Sequence, residues 1–344
     1  MAEPQPISPT DRVVIVASAF YSQPDRHGGS FSDGANSTSP DARFVDAVKR
    51  LAMHSPGLAV PGPHEVHFIH DLPLTSDAPE VAQRAWKASQ RFAPLSFHRV
   101  EPGTMALPGA ELRWQHAEEL LRRLGRWGCA FFIDATDISV LHVPPCAEMA
   151  ERVHIASDFC TGGWRVRQLL HSAWAANKPA LEALSPARVK ALSSWLRRGD
   201  APTVNCGIVG GPRAAVEPVL RDVVAWLQRG WSGASVRDAY SDMLAWNEAA
   251  LHLSAQATPV LSGYPTGPVN HPMHGVLCPA HVQELTRACG ALGTRRPGQQ
   301  CRMAWLRAQI NATEAGPPTA KQLYWFGHKL PVGALRWYRA LPRD

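Results

Sequence analysis

The chain has little lysine: only six stand among its 35 Lys+Arg residues. Nearly all of its positive charge is therefore arginine. Against 29 Asp+Glu the balance is +6, a small excess for 344 residues. The arginines are scattered and no nucleic-acid motif accompanies them, so no nucleic-acid partner is expected. No apolar run approaches the ~20 residues of a membrane-spanning helix. The opening stretch MAEPQPISPTDR has neither a basic nor an apolar segment, so no secretory signal is expected. The seven cysteines contain no CxxC pair and are irregularly spaced. Free thiols in a reducing, cytoplasmic compartment are expected, not a disulfide scaffold. The glycosylation-type triplets at Asn36 and Asn311 then read as chance matches. Internal repeats and low-complexity linkers are also missing.

What is present is ordinary globular composition, 45% hydrophobic and 19% charged, which excludes disorder as the main state. Residues 1–11 are Pro-rich and polar and read as a disordered tail. Arg12–Ala19 is a Val/Ile-rich buried strand, followed by a long Gly/Ser/Asp/Asn loop. Loops of that length inside a domain are often functional. Pro40–His54 has helical spacing, and Pro56–Pro63 is a turn segment. Glu65–His70, Leu95–Val100, Cys129–Ile133, Arg152–Ser157 and Thr203–Gly210 are strand candidates. Glu111–Trp127, Gly163–Trp174, Pro186–Leu196 and Ser241–Leu253 read as helices. Pro212–Gln228 is the cleanest helix, with apolar residues at i, i+3, i+4, i+7, i+8 and i+11. Pro212 marks its start and Gly230 lies just past its end. Two further helices are expected within 279–312. Strands alternating with helices predict an α/β fold with a mixed, mostly parallel, Rossmann-like sheet flanked by helices. The alternation crosses the chain midpoint, which favours one domain over two.

Four segments can carry chemistry. Phe131–Leu141 (FFIDATDISVL) is an apolar strand that delivers Asp134 and Asp137, then turns apolar again. Ligands of open α/β sheets bind outside the carboxyl ends of strands, and paired carboxylates suit a hard divalent cation. Equally, aspartates commonly cap and turn a strand end. In Thr203–Pro212 (TVNCGIVGGP), Asn205 and Gly207 are unusual mid-strand residues. They indicate either close approach of a ligand or a β-bulge. In SDMLAWN, Asp242 is either a first-turn helix acid or a functional carboxylate. Finally, His271-Pro272-Met273-His274 and Phe326-Gly327-His328-Lys329 hold imidazoles, the second beside one of the rare lysines. Cys278 after the first pair raises zinc, but no second cluster supports it.

In chain order these segments resemble the GT-A class of nucleotide-sugar glycosyltransferases, both the glycogenin-like retaining enzymes and a looser set of GT-A-like proteins in bacteria and plants. The segments are RVVIVASAFYSQPDRHGGS, ELRWQHAEELL, FFIDATDISVL, NCGIVGG, SDMLAWN and FGHKLP, spanning residues 12–331. Two departures stand out: the acidic motif is DxxD rather than DxD, and His328 and Lys329 are adjacent. The resemblance implies one GT-A-like domain over 12–344, with a nucleotide-binding part about 12–141 and a sugar and acceptor part about 142–344. It implies sugar transfer from a nucleotide-diphosphate sugar to a glycan, protein or small-molecule acceptor, with Mn²⁺ or Mg²⁺ as cofactor. Arg26, Gly28, Gly29 and Ser30 would approach the nucleotide, and Arg113 would support nucleotide or phosphate. Asp134 would meet ribose or sugar. Asp137 and His328 would ligate metal, with His271 and His274 as reserves. Lys329 would offset leaving-group charge. Asn205 and Asp242 would orient sugar or acceptor, and Asp242 or Asp158 would be the base of an inverting reaction. A nucleotidyltransferase and an inactive GT-A-like scaffold are the alternatives. Peripheral membrane contact stays open, as do donor, acceptor and oligomeric state.

Overall fold

The computed structural model describes residues 12–20, 39–75, 77–89, 93–100, 109–135, 138–143, 145–149, 151–158, 170, 173–197, 203–230, 241–255, 261–262, 269–270 and 326–328. The expected helices at 163–174 and 279–312 lie mostly or wholly outside these residues, as does the tail.

The central strand is β1 (Val13–Ala19), every residue of which is buried. Both of its edges are covered by parallel partners, β2 (His64–His70) and β4 (Cys129–Asp134). A strand buried on both faces needs a continuous apolar run, and VVIVASA supplies one. Beyond β2 lies β3 (Leu95–Arg99), also parallel. On the other side, β7 (Thr203–Pro212) pairs antiparallel with β4 and with β6 (His154–Asp158). The two-residue β8 (Leu261–Ser262) closes that edge, parallel to β6. The sheet order is β3-β2-β1-β4-β7-β6-β8, mixed and mostly parallel. A second sheet joins β5 (Ile138–Val140), β10 (Phe326–His328) and β9 (Val269–Asn270) in the order β5-β10-β9.

Side-chain alternation along β1 sends Val13, Ile15 and Ala17 to one face and Val14 and Val16 to the other. The first set packs on α1 (Pro40–His54) and α2 (Ala78–Ala88) through Phe44, Val48, Leu51 and Trp86. The second packs beneath α3 (Gly109–Leu124), α4 (Lys178–Glu182), α5 (Pro186–Arg197), α6 (Arg213–Gly230) and α7 (Ser241–Ala255). Helix α1 begins where Ser39 accepts a hydrogen bond from the Ala42 amide at 3.2 Å, followed at once by Pro40. None of the described helices is long and apolar enough to cross a membrane.

Several local expectations shift. Helix α2, α4 and β5 were not read from the sequence as separate elements. Pro212 ends β7 instead of opening a helix, and Gly230 is the last residue of α6. Cys129 and Cys146 are joined as a disulfide with Cα atoms 5.6 Å apart, which corrects the expectation of free thiols at those two positions. The start of β4 lies beside the short helical turn Cys146–Glu148, a proximity that a separation of 17 residues does not announce. Cys206 is buried and is not disulfide-bonded.

A polar chain crosses the α3 face of β2 and β3. Arg12 pairs with Glu65, whose other oxygen meets His67 Nε2 at 2.7 Å. His67 Nδ1 in turn meets His98 Nε2 at 2.8 Å. Burial alone would raise the Glu65 carboxyl, but the bonds from His67 and Arg12 outweigh it and lower it. With Glu65 ionised, its oxygen accepts from His67 Nε2.

Gly210 faces the core strand so closely that an added Cβ would lie 2.2 Å from a Phe131 ring carbon and 2.5 Å from the Ala130 carbonyl oxygen. Gly210→Ala should therefore lower stability by about 3 kcal/mol in urea unfolding. Gly125→Ala has open space around it and only a positive φ to strain, so it should cost about 1 kcal/mol.

His64, His70 and His98 are each lowered from 6.5 to about 4, mainly by burial. Within that interval the unfolded chain binds more protons than the folded one. Stability from these groups is complete above pH 6.5 and declines as the pH falls toward 4. Thermal midpoints should drop between neutral pH and about pH 5, and His64→Asn should flatten that slope.

Candidate functional site

The parallel strands β1, β2, β4 and β6 all end at the same edge of the large sheet. There Ser18 of β1 lies in register with Asp134, the last residue of β4. The Ala135 amide donates to the Ser18 carbonyl at 3.1 Å, so the chain leaves β4 held against β1. Asp134 is half-buried at this exit.

The chain re-enters regular structure at β5, one residue after Asp137. In the small sheet Ile138 pairs with His328, and Gly327 pairs with Asn270. Backbone pairing thus joins the immediate neighbour of Asp137, His328 itself and the immediate neighbour of His271. These three points are far apart in the chain. Strand β9 approaches β6, and β10 approaches β7, so the small sheet adjoins the large one on that side. Ser55 secures β5 by accepting the Val140 amide at 3.0 Å.

Strand β7 reaches beyond β4. Its pairing with β4 ends at Ile133↔Ile208, while Thr203–Gly207 continue. On the β6 side the register jumps from Ile155↔Val209 to Ala156↔Asn205, so Cys206–Ile208 form a bulge. Of the two readings of the Asn-Cys-Gly segment, the bulge is present, and Gly207 lies within it. Asn205 pairs with Ala156, and Asp158 pairs with Thr203, both on the edge where β4 ends.

Behind this overhang lies a buried charged cluster. Arg113 of α3 donates from Nη2 to Asp242 Oδ2 at 3.2 Å, to the Cys206 carbonyl at 3.2 Å and to Cys206 Sγ at 3.3 Å. The Cys206 thiol meets the same Asp242 oxygen at 3.3 Å. Asp242 is 0% exposed and the Arg113 side chain 13%. The first-turn position of Asp242 in α7 also lets Oδ1 accept the Met243 amide at 2.7 Å. Two residues singled out separately in the sequence are therefore partners of each other. Five residues further along the same helix, Asn247 binds Val204 through both the oxygen and the nitrogen of its side-chain amide. Sequence reading gave Asn247 no role; its one signal is an asparagine in the interior of a helix, where that residue is disfavoured. A second pair, Arg188–Glu248 at 2.6 Å, with the carboxylate buried and the guanidinium half-buried, ties α5 to α7 and raises the guanidinium further above its ordinary value.

Arg26, Gly28, Gly29, Ser30, Asp137, His271, His274 and Lys329 lie outside the described residues. Among the described residues no group of three or more His, Cys, Asp or Glu side chains is arranged to hold a metal ion. A groove of about 760 Å³ opens at the opposite, amino-terminal edge of the strands, lined by Arg12, His64, Glu65 and Arg126 among others. It is remote from the carboxyl edge where the acidic motif ends.

No protein-family model matches the chain. No curated protein matches it by sequence. Among solved structures it is similar to the galactosyltransferase LgtC in complex with donor and acceptor sugar analogues. That likeness is at 8% identity and a TM-score of 0.38, over 93% of this chain and 87% of that one. Mouse xyloside xylosyltransferase 1 is similar at 12% identity and 0.38, over 73% and 84%. Core-mannan synthase A of Aspergillus fumigatus, in a Mn/GDP form, is similar at 8% identity and 0.32, over 72% and 70%.

Removing the guanidinium in Arg113→Met leaves the Asp242 carboxylate buried without its cation. Stability should fall by about 3–5 kcal/mol in urea unfolding. The double variant Arg113→Met/Asp242→Leu should lose less than the sum of the single changes, because the two side chains share one interaction.

Proposed function

We propose that the chain is a glycosyltransferase that uses a nucleotide-diphosphate sugar and a divalent cation. The observation that carries this reading is the backbone register of the small sheet. It joins the strand that follows the Asp134–Asp137 motif to His328 and to the segment entering His271. Carboxylate and imidazole donors from these three segments would make a donor set suited to Mn²⁺ or Mg²⁺. Asp137 and His328 would hold the cation, with His271 or His274 as a further ligand. When bound, it would offset diphosphate charge as the nucleoside diphosphate departs.

The chain's own residues divide the remaining work. Arg26, Gly28, Gly29 and Ser30 follow β1 and would cradle the nucleotide, their glycines allowing close backbone approach. Asp134 would accept from ribose or sugar hydroxyls. Lys329 would add fixed positive charge where the leaving group develops its own. Asn205 would orient the transferred sugar or the acceptor, and the Arg113–Asp242 pair would fix the wall behind it. Asp158, at the end of β6, would take the acceptor proton if the reaction inverts.

Calorimetric titration with UDP and GDP, each with and without Mn²⁺, tests the reading. One of the two should bind, more tightly with the cation. His328→Ala should reduce that cation-dependent gain at least about ten-fold. A panel of nucleotide sugars assayed for metal-dependent hydrolysis would then identify the donor. Binding of neither nucleotide would sink the proposal, and binding without turnover of any sugar would favour an inactive binding protein.

A further inference from the structure

The overhang of β7 poses a question of backbone chemistry. Beyond Ile208 the pairing with β4 stops, yet Val204 and Cys206 are buried. Buried N–H and C=O groups need partners. Asn247 supplies them at Val204. Its Oδ1 accepts the Val204 amide at 2.8 Å, and its Nδ2 donates to the Val204 carbonyl at 3.0 Å. These are the two bonds that a facing residue of an antiparallel strand would exchange. The second Nδ2 proton goes to the Met243 carbonyl at 2.8 Å. One acceptor and two donors are all engaged, on a side chain that is 1% exposed. Arg113 does the same for the Cys206 carbonyl. Asn205 therefore lies between two residues whose backbones are held by side chains of α7 and α3. An asparagine inside a helix is otherwise disfavoured, because it competes with the helical backbone.

We infer that Asn247 is a positioning residue for sugar transfer: by standing in for the strand that β4 does not provide, it sets the place of Asn205. This rests on the glycosyltransferase reading above. The bonds of Asn247 run to Val204 and Met243, and the reading assigns neither of them to the nucleotide. Loss of the clamp would therefore act on transfer and leave nucleotide binding alone. Displacing a substrate-orienting group by about 1 Å can cost up to about 100-fold in rate.

The test uses the full chain and the nucleotide sugar that the wild type hydrolyses fastest. Asn247→Ala should lower kcat about ten-fold or more, with the donor KM and the Mn²⁺-dependent affinity for UDP or GDP within about two-fold. Hydrogen exchange at the Val204 amide should quicken about ten-fold or more as its acceptor is lost. The isosteric Asn247→Asp keeps the shape but turns both donors into acceptors facing carbonyls. It should lose at least as much kcat, whereas Asn247→Gln, which keeps the amide, should retain more. If Asn247→Ala is recovered unfolded, Asn247→Ser takes its place in the same comparison. Faster Val204 exchange with kcat unchanged would overturn the inference. So would a fall in kcat matched by equal losses in nucleotide affinity and thermal midpoint, the mark of a merely structural residue. A wild type that binds neither UDP nor GDP and hydrolyses no nucleotide sugar would instead overturn the glycosyltransferase reading, and the role in transfer with it.

Discussion

The rest of the candidate site depends on the mismatch in length between β4 and β7. Strand β4 runs Cys129–Asp134, while β7 runs Thr203–Pro212 antiparallel to it. Their pairing stops at Ile133↔Ile208. The sheet consequently has a step at its carboxyl edge, with Asp134 on the low side and Val204–Cys206 projecting past it. A projecting buried strand must have its hydrogen bonds completed by something other than strand. Here helices α3 and α7 complete them through Arg113, Asn247 and the Asp242 carboxylate that anchors Arg113. The bulge at Cys206–Ile208 lets the same strand serve β4 at one end and β6 at the other.

That step explains why so many charged and polar groups are buried at this edge. Arg113 is far in sequence from Asp242 and Asn247, which share helix α7, and each of the three would be costly alone. Together they satisfy one another and the strand backbone. Burying a paired charge contributes little net stability, but it makes the arrangement specific, because removing any one member leaves the others exposed to the full cost of burial. The small sheet adds the other half of the edge. Its register draws the chain around residues 138, 270 and 328 into one ladder.

Much of the architecture was legible beforehand. VVIVASA reads as a buried strand, and the apolar spacing over Pro40–His54 predicts α1 with the limits observed. The alternation of strands and helices predicted a mixed, mostly parallel sheet. What escaped notice were elements with weak local signals. Helix α2 buries mostly small residues, Ala78 and Ala82 beside Trp86, α4 is a single turn and a half, and β5 is three residues long. The Cys129–Cys146 link was equally invisible, since it joins a strand start to a turn through proximity alone.

The candidate site divides along the same line. By itself the sequence determined the residue types: carboxylates at the end of an apolar strand, an Asn-Cys-Gly interruption, an aspartate opening a helix and imidazoles late in the chain. Each is a local choice that spacing and propensity expose. Only the tertiary structure decided who meets whom. It made Arg113 and Asp242 partners of each other, gave Asn247 the place of a missing strand and set His328 opposite Ile138. Register and helix placement are long-range outcomes of packing, settled by which faces of the sheet are covered, and no window of neighbouring residues carries them.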